Sequence, residues 1–212
     1  MSEPVRKIKQ TPESFSPKNR PEILSIVESM QQNNKNMENK KIRELIKSYK
    51  HDVPALRFIG KKYGESDSID GFGHLWNIWF EKGWFNIIEK QIDGEIKDTC
   101  EDGEAPIGLI GGSGTQEDPM TYWIGLFMPK NTPVPEGFEH IDFSERKFGI
   151  CWVYGKPNEL YGNYGECCKK IDEYGFEWHE DSKWCFERYV YSRFSMPDEK
   201  GNVILDIGFF VK

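Results

Sequence analysis

A chain of 212 residues has room for one large domain or two small ones, with enough length to bury a core. Only 37% of it is hydrophobic, but 14% is aromatic, so its apolar area is concentrated in rings, which bury large surfaces and line clefts. The net charge is -7, with 11 Lys and Arg against 6 Asp and Glu in residues 1–50 and a surplus of 12 acids in the remainder. Such a body repels a phosphate backbone and attracts cations, so specific duplex-DNA binding by it is not expected.

The five cysteines (Cys100, Cys151, Cys167, Cys168 and Cys185) are odd in number and lack CxxC spacing, which points to a reduced, cytoplasmic protein. Residues 1–10 are polar and charged, and no run of about 18 apolar residues occurs, so neither a signal peptide nor a membrane span is expected.

Residues 1–20, with Pro4, Pro12 and Pro17 among many charges, read as a flexible arm. Pro21 suits a first helical position, and Ile23, Ile26, Val27 and Met30 follow at helical spacing. Ile42, Leu45, Ile46 and Tyr49 repeat that spacing after a polar connector. Two short helices over 21–50 cannot form a core alone, so they are expected to dock on the body or on a second copy as a homodimer contact. His51 to Pro54 closes this region, and residues 51–212 form the main domain.

Leu56 to Tyr63 reads as a strand. Phe72, Leu75, Trp76, Trp79 and Phe80 trace a helical stripe ending near Gly83, and Trp84 to Ile88 adds another turn. Most of these rings read as core; Trp76 and Trp79 are the two with edges that can reach a cleft. Residues 93–104 form an acidic loop. Pro106 to Gly111 and Met120 to Met128 are paired strands around the turn Gly111-Gly112-Ser113-Gly114. That turn lacks the Lys and Ser/Thr of a phosphate loop.

Pro129 to Gly137 is a crossing loop, and Lys147 to Tyr154 a strand. Pro157 opens a helix with Leu160, Tyr164, Cys167 or Cys168, Ile171 and Tyr174 on one stripe, capped at Gly175. Lys183 to Tyr191 is a strand, 197–202 a turn, and Val203 to Val211 the closing strand. The order strand, helix, strand, strand therefore occurs twice. The fold class is α+β, with two such modules in a pseudo-twofold arrangement and a ligand groove between them.

The usual catalytic arrangements are missing. There is no GxSxG or HExxH, the four histidines are scattered, and Cys/His metal spacing is absent. No cofactor or metal is expected. Along Lys183 to Tyr191, alternation puts Trp184, Phe186 and Val190 on one face, and Cys185, Glu187, Tyr189 and Tyr191 on the other. Glu187 either points to water, pairs with Arg188 or Lys183, or is buried among rings, where it needs a cation, a proton or good hydrogen bonds. The last setting suits an organic cation, because rings add about 0.5–2 kcal/mol of cation–π attraction to the carboxylate charge.

Six pieces in order resemble the gyrase-inhibitor-like (GyrI-like) effector-binding domain: Arg57-Phe58-Ile59-Gly60, Leu75-Trp76, Tyr122-Trp123-Ile124-Gly125, Val134-Pro135-Glu136-Gly137, Phe148 to Gly155, and Cys185-Phe186-Glu187-Arg188-Tyr189. The last carries the family's Phe-Glu-x-Tyr signature. The resemblance implies the double-module fold and a buried Glu facing the ligand groove, a role that falls to Glu187 with Tyr189 as companion. We add Trp123, Trp152 and Tyr154 to the groove lining, ahead of Tyr122. It implies a stand-alone, multidrug-type binder that senses or sequesters aromatic, often cationic compounds. Some stand-alone members resemble hydrolases of cyclopropane-type alkylating toxins, which would make Glu187 a catalytic general base. The third class is a regulator subunit acting through a protein partner by its N-terminal helices.

Overall fold

The computed structural model describes residues 44–69, 71–92, 100–112, 114–179 and 183–212. β-Branched and aromatic runs form eight strands: β1 (Glu44–Val53), β2 (Leu56–Tyr63), β3 (Ile107–Gly111), β4 (Thr121–Pro129), β5 (Glu139–Phe143), β6 (Arg146–Gly155), β7 (Cys185–Arg188) and β8 (Val203–Val211). The helices are α1 (Gly73–Lys82), α2 (Trp84–Glu89), α3 (Tyr164–Glu173) and the single turn α4 (Tyr191–Phe194). Gly83, at φ 60°, ends α1 in a left-handed step that turns the chain straight into α2.

The strands make one sheet in the order β1-β6-β8-β7-β3-β4-β2-β5, antiparallel at every pairing. The fold is therefore α+β. Two cores lie on its two faces. On the first, Leu75, Trp79, Phe85 and Ile88 of α1 and α2, and Tyr164, Cys167 and Ile171 of α3, pack on Ile59, Ile124, Leu126, Val153 and Ile207. The second core consists of strand residues and Trp184, among them Phe58, Trp123, Phe127, Phe143, Phe148, Phe186 and Phe210.

That second core shows how far the sheet curls. β5 and β8 stand five places apart in the sheet, roughly 24 Å if it were flat, yet the rings of Phe143 and Phe210 are 4.9 Å apart. Phe127 of β4 likewise meets Phe148 of β6 at 5.3 Å. Among the described residues, no helix is long and apolar enough to cross a membrane.

The first of the two expected N-terminal helices, like the arm and the polar connector, lies outside the described residues. The second is corrected: from Glu44 on, its residues are β1, paired with β6. A register shift between Leu45 and Lys47 explains the helical appearance. The bulge at Ile46 puts Leu45 in the first core and Tyr49 beside the second, so strict alternation is lost. The division drawn at residue 51 consequently falls inside a strand. Pro157–Glu159 is an isolated 3-10 turn, and the helix expected from Pro157 begins only at Tyr164. The strand expected over 183–191 is confined to Cys185–Arg188, and Tyr191 starts α4.

Candidate ligand-binding site

Glu187 sits on β7 directly opposite Gly108 of β3, at the centre of the sheet. Its side chain projects to the helix-covered face and is 4% exposed. Three phenols converge on it. Tyr189, two residues along the chain, donates to Oε2 at 2.7 Å. Tyr122 of β4 donates to the same oxygen at 3.1 Å, and Tyr164, at the start of α3, donates to Oε1. Trp76 of α1 donates its indole N–H to the Tyr122 oxygen at 3.0 Å.

Gly108 makes this convergence feasible. Tyr122 is one strand beyond β3 and must lean across it to reach Glu187. A Cβ at position 108 would lie 2.4 Å from the Tyr122 hydroxyl and 3.2 Å from Glu187 Oε2, so a side chain there would force the phenol away.

Among the described residues, no basic group compensates Glu187. Burial raises its pKa above the usual carboxylate value, against the opposing effect of Tyr164, Tyr189 and Tyr122, which favour the ionised form. Burial and the Glu187 charge together push the hydroxyls of Tyr122, Tyr164 and Tyr189 well above the normal phenol range. Tyr161, more exposed at the rim, is raised to about 12 for the same two reasons. The phenols therefore stay protonated as donors across the physiological range.

Aromatic rings close the site. Phe72 lies parallel to Tyr122 with centroids 4.3 Å apart. Trp76 packs on Tyr189 at 4.5 Å, and Phe194 meets Tyr189 edge-on at 4.8 Å. An open depression of 660 Å³ lined by Asp52, Arg146, Lys147, His179 and Val211 contains none of these residues. The carboxylate and its phenols are thus covered by Trp76 of α1, Phe72 just before it and Phe194 of α4 rather than by solvent.

Of the residues expected to form the groove, Glu187 and Tyr189 are brought together. Trp123, Trp152 and Tyr154 are not brought to them. Trp123 neighbours Tyr122 on β4, so it projects to the opposite face and packs with Phe58 in the second core. Trp152 has Lys47 Nζ 4.2 Å and Arg193 Cζ 4.8 Å from its ring centroid, so the chain's own cations already occupy it. Tyr154 donates to Asp198 and accepts from Asn202 near the 197–202 turn. The residues underrated from sequence are Tyr122, Tyr164 and Phe72. Alternation within Tyr122-Trp123 already implied that only one of the pair could share a face with Glu187.

On the far face, Arg188 and Arg193 hold a different constellation. Asp206, 0% exposed, accepts from Arg188 at 2.7 and 2.9 Å and from Arg193 at 2.5 and 2.9 Å. Asp102 accepts from Arg193 at 2.6 Å. Tyr49 and the Glu101 carbonyl accept from Arg188. Among the described residues, no three His, Cys, Asp or Glu side chains group as a metal site.

Fold and site define a class: a curled antiparallel sheet with helices on one face, holding a buried carboxylate under aromatic cover with no basic partner among the described residues. The sequence matches no protein-family model and no curated protein. Solved structures do share the fold. A putative bacterial transcription regulation protein from Staphylococcus aureus MU50 is 16% identical, with a TM-score of 0.50 over 79% of this chain and 99% of that one. SAV2435, solved bound to tetraphenylphosphonium, is also 16% identical, with a TM-score of 0.53 over 79% and 94%. A hydrolase from Listeria innocua is 10% identical, with a TM-score of 0.47 over 86% and 98%. For the two structures with TM-scores of 0.50 and 0.53, the likeness is one of fold alone.

Proposed function

We propose that this protein binds aromatic, cationic small molecules against Glu187, sensing or sequestering them, and that its described body is a GyrI-like domain. One observation carries the reading: a buried carboxylate accepts three phenol protons yet has no cation partner among the described residues. A buried, unpaired charge is costly, and a ligand that brings the opposite charge relieves that cost. The surrounding rings add area and cation–π attraction. The tetraphenylphosphonium bound to SAV2435 supports the same chemistry here.

The strand order supports the double module. β2, β3 and β4 lie in the order β2-β4-β3, and β6, β7 and β8 in the order β6-β8-β7, so the two sets meet at β3 and β7. A pseudo-twofold axis between β3 and β7 would produce this pattern, with Glu187 beside it. Entry requires Phe72 to leave its stack on Tyr122 and Trp76 its tilted contact with Tyr189, and a flat ligand ring would replace them.

Calorimetric titration with tetraphenylphosphonium and with neutral triphenylphosphine oxide tests the reading. A unit charge about 6 Å away at an effective dielectric near 20 contributes roughly 3 kcal/mol before solvent screening. Glu187→Gln should therefore weaken the phosphonium by about 1.5–3 kcal/mol, tenfold or more, and spare the neutral compound. Equal affinity of both proteins for the cation would overturn the assignment.

A further inference from the structure

Tyr189 lies outside regular structure, because β7 ends at Arg188 and the single turn α4 begins only at Tyr191. One helical turn has little stability of its own. The segment 189–194 is held instead by the loop 100–106, which grips it at both ends. The Pro106 carbonyl accepts the Tyr189 N–H at 3.0 Å. At the other end, the Asp102 carboxylate accepts from Arg193 at 2.6 and 3.4 Å.

Asp102 is itself in an unusual conformation. Its φ is 55°, a left-handed value uncommon outside glycine. The turn that imposes it is closed by Gly103 N–H on the Cys100 carbonyl and Ala105 N–H on the Asp102 carbonyl. Arg193 is also anchored by Asp206, and the next residue, Phe194, places its ring edge-on to Tyr189 at 4.8 Å. Tyr189 in turn donates to Glu187.

We propose that Asp102 is a positioning residue for the ligand site, acting through Arg193 and Phe194 on the Tyr189 phenol. The inference rests on the reading of Glu187 as the ligand carboxylate. Asp102 touches neither Glu187 nor any ring that covers it. Its effect on ligand affinity travels along α4: the guanidinium fixes the turn, the turn fixes Phe194, and Phe194 limits where Tyr189 can stand.

The test is a double-mutant cycle on the full chain, read as tetraphenylphosphonium affinity. Asp102→Asn keeps tolerance of the left-handed φ and removes the charge; Asp102→Gly adopts that φ freely and removes the side chain. Each should weaken binding about fivefold, within the range for coupled neighbours. In a Phe194→Leu background, the same substitutions should change affinity less than twofold. An unchanged affinity, or an equal loss in both backgrounds, would overturn the proposal, the latter because the effect would then bypass Phe194. A 3-fluorotyrosine at position 189 reads the phenol without ligand. Its fluorine resonance should shift or broaden in both Asp102 variants, and an unmoved resonance overturns the proposal whether or not the cation binds. Failure of the unaltered protein to bind the phosphonium would instead count against the reading of Glu187.

Discussion

Glu187 and Arg188 leave the same strand in opposite directions, and the two faces of the sheet treat them differently. Arg188 enters a network in which Asp206 and Asp102 balance Arg188 and Arg193, with Tyr49 and the Glu101 carbonyl filling the remaining contacts. Glu187 enters a shell of phenols that supply hydrogen bonds but no charge. Both groups are buried and hydrogen-bonded. The difference is compensation: among the described residues, the first arrangement pairs acids with bases, whereas the second contains no basic side chain. Burial of a charge is thus a poor guide to function, and the absence of a partner is a better one.

The largest expected effect tests the balanced side. Asp206→Asn removes the carboxylate shared by both guanidinium groups and leaves Arg188 buried without its main partner. Breaking such a buried pair costs about 3–5 kcal/mol, measurable by urea unfolding. Glu187→Gln should show no such loss and hold or gain stability, because it removes an uncompensated charge. Similar losses in the two variants would erase the distinction between the faces.

A second break concerns β1, which delivers Tyr49 to Arg188. A chain beginning at residue 51 lacks Leu45 and Tyr49 and exposes the edge of β6. We expect it to unfold roughly 2–3 kcal/mol more easily than a chain beginning at residue 44, from the lost burial of those two side chains. Equal stability would return residues 44–50 to the N-terminal region in which the periodicity had placed them.

What the sequence made legible follows the same geography. The inner strands β3, β4, β6 and β8 announce themselves by mostly apolar residues, because both of their faces are largely buried, and β2 does so through Phe58-Ile59-Gly60. β1 and β5 stand at the two edges. The first is disguised by its bulge, and the second alternates exposed and buried residues over only Glu139–Phe143. For the site, the Phe-Glu-x-Tyr resemblance pointed to Glu187 and Tyr189. Trp123, Trp152 and Tyr154 looked equally suitable because composition records rings without recording which face they occupy. Tyr122 and Tyr164 reach Glu187 through register and helix placement, neither of which is local in the chain.

Titration sharpens the contrast further. Burial raises the folded-state pKa of Glu187 above its unfolded value. The stability linked to its proton is complete below the unfolded carboxylate pKa of about 4.3 and is lost as pH rises through the folded value. Glu187→Gln, which does not titrate, should therefore gain on the wild type across that window. A bound cation lowers the pKa again, so phosphonium binding should release protons and tighten as pH rises. Calorimetry in buffers of different ionisation enthalpy measures the release; buffer-independent heats and a flat pH profile would contradict the uncompensated state of Glu187.

The smallest expected effect concerns catalysis. A general base must offer a free lone pair to the proton it removes, in reach of the attacking water. In Glu187 both oxygens already accept phenol hydrogens, Oε1 from Tyr164 and Oε2 from Tyr122 and Tyr189. That leaves about one of four lone-pair sites, on Oε1, and at 4% exposure the residue gives water little access to it. The arrangement favours holding charge over moving protons to a substrate. Single-turnover incubation with a cyclopropane-bearing alkylator should therefore give no ring-opened product above the uncatalysed rate, although the compound's rings can be held. Product formed well above that rate, and abolished in Glu187→Gln, would make Glu187 a catalytic base. In that case Tyr189, the donor carried by the short α4 junction, would be the phenol to suspect of giving way.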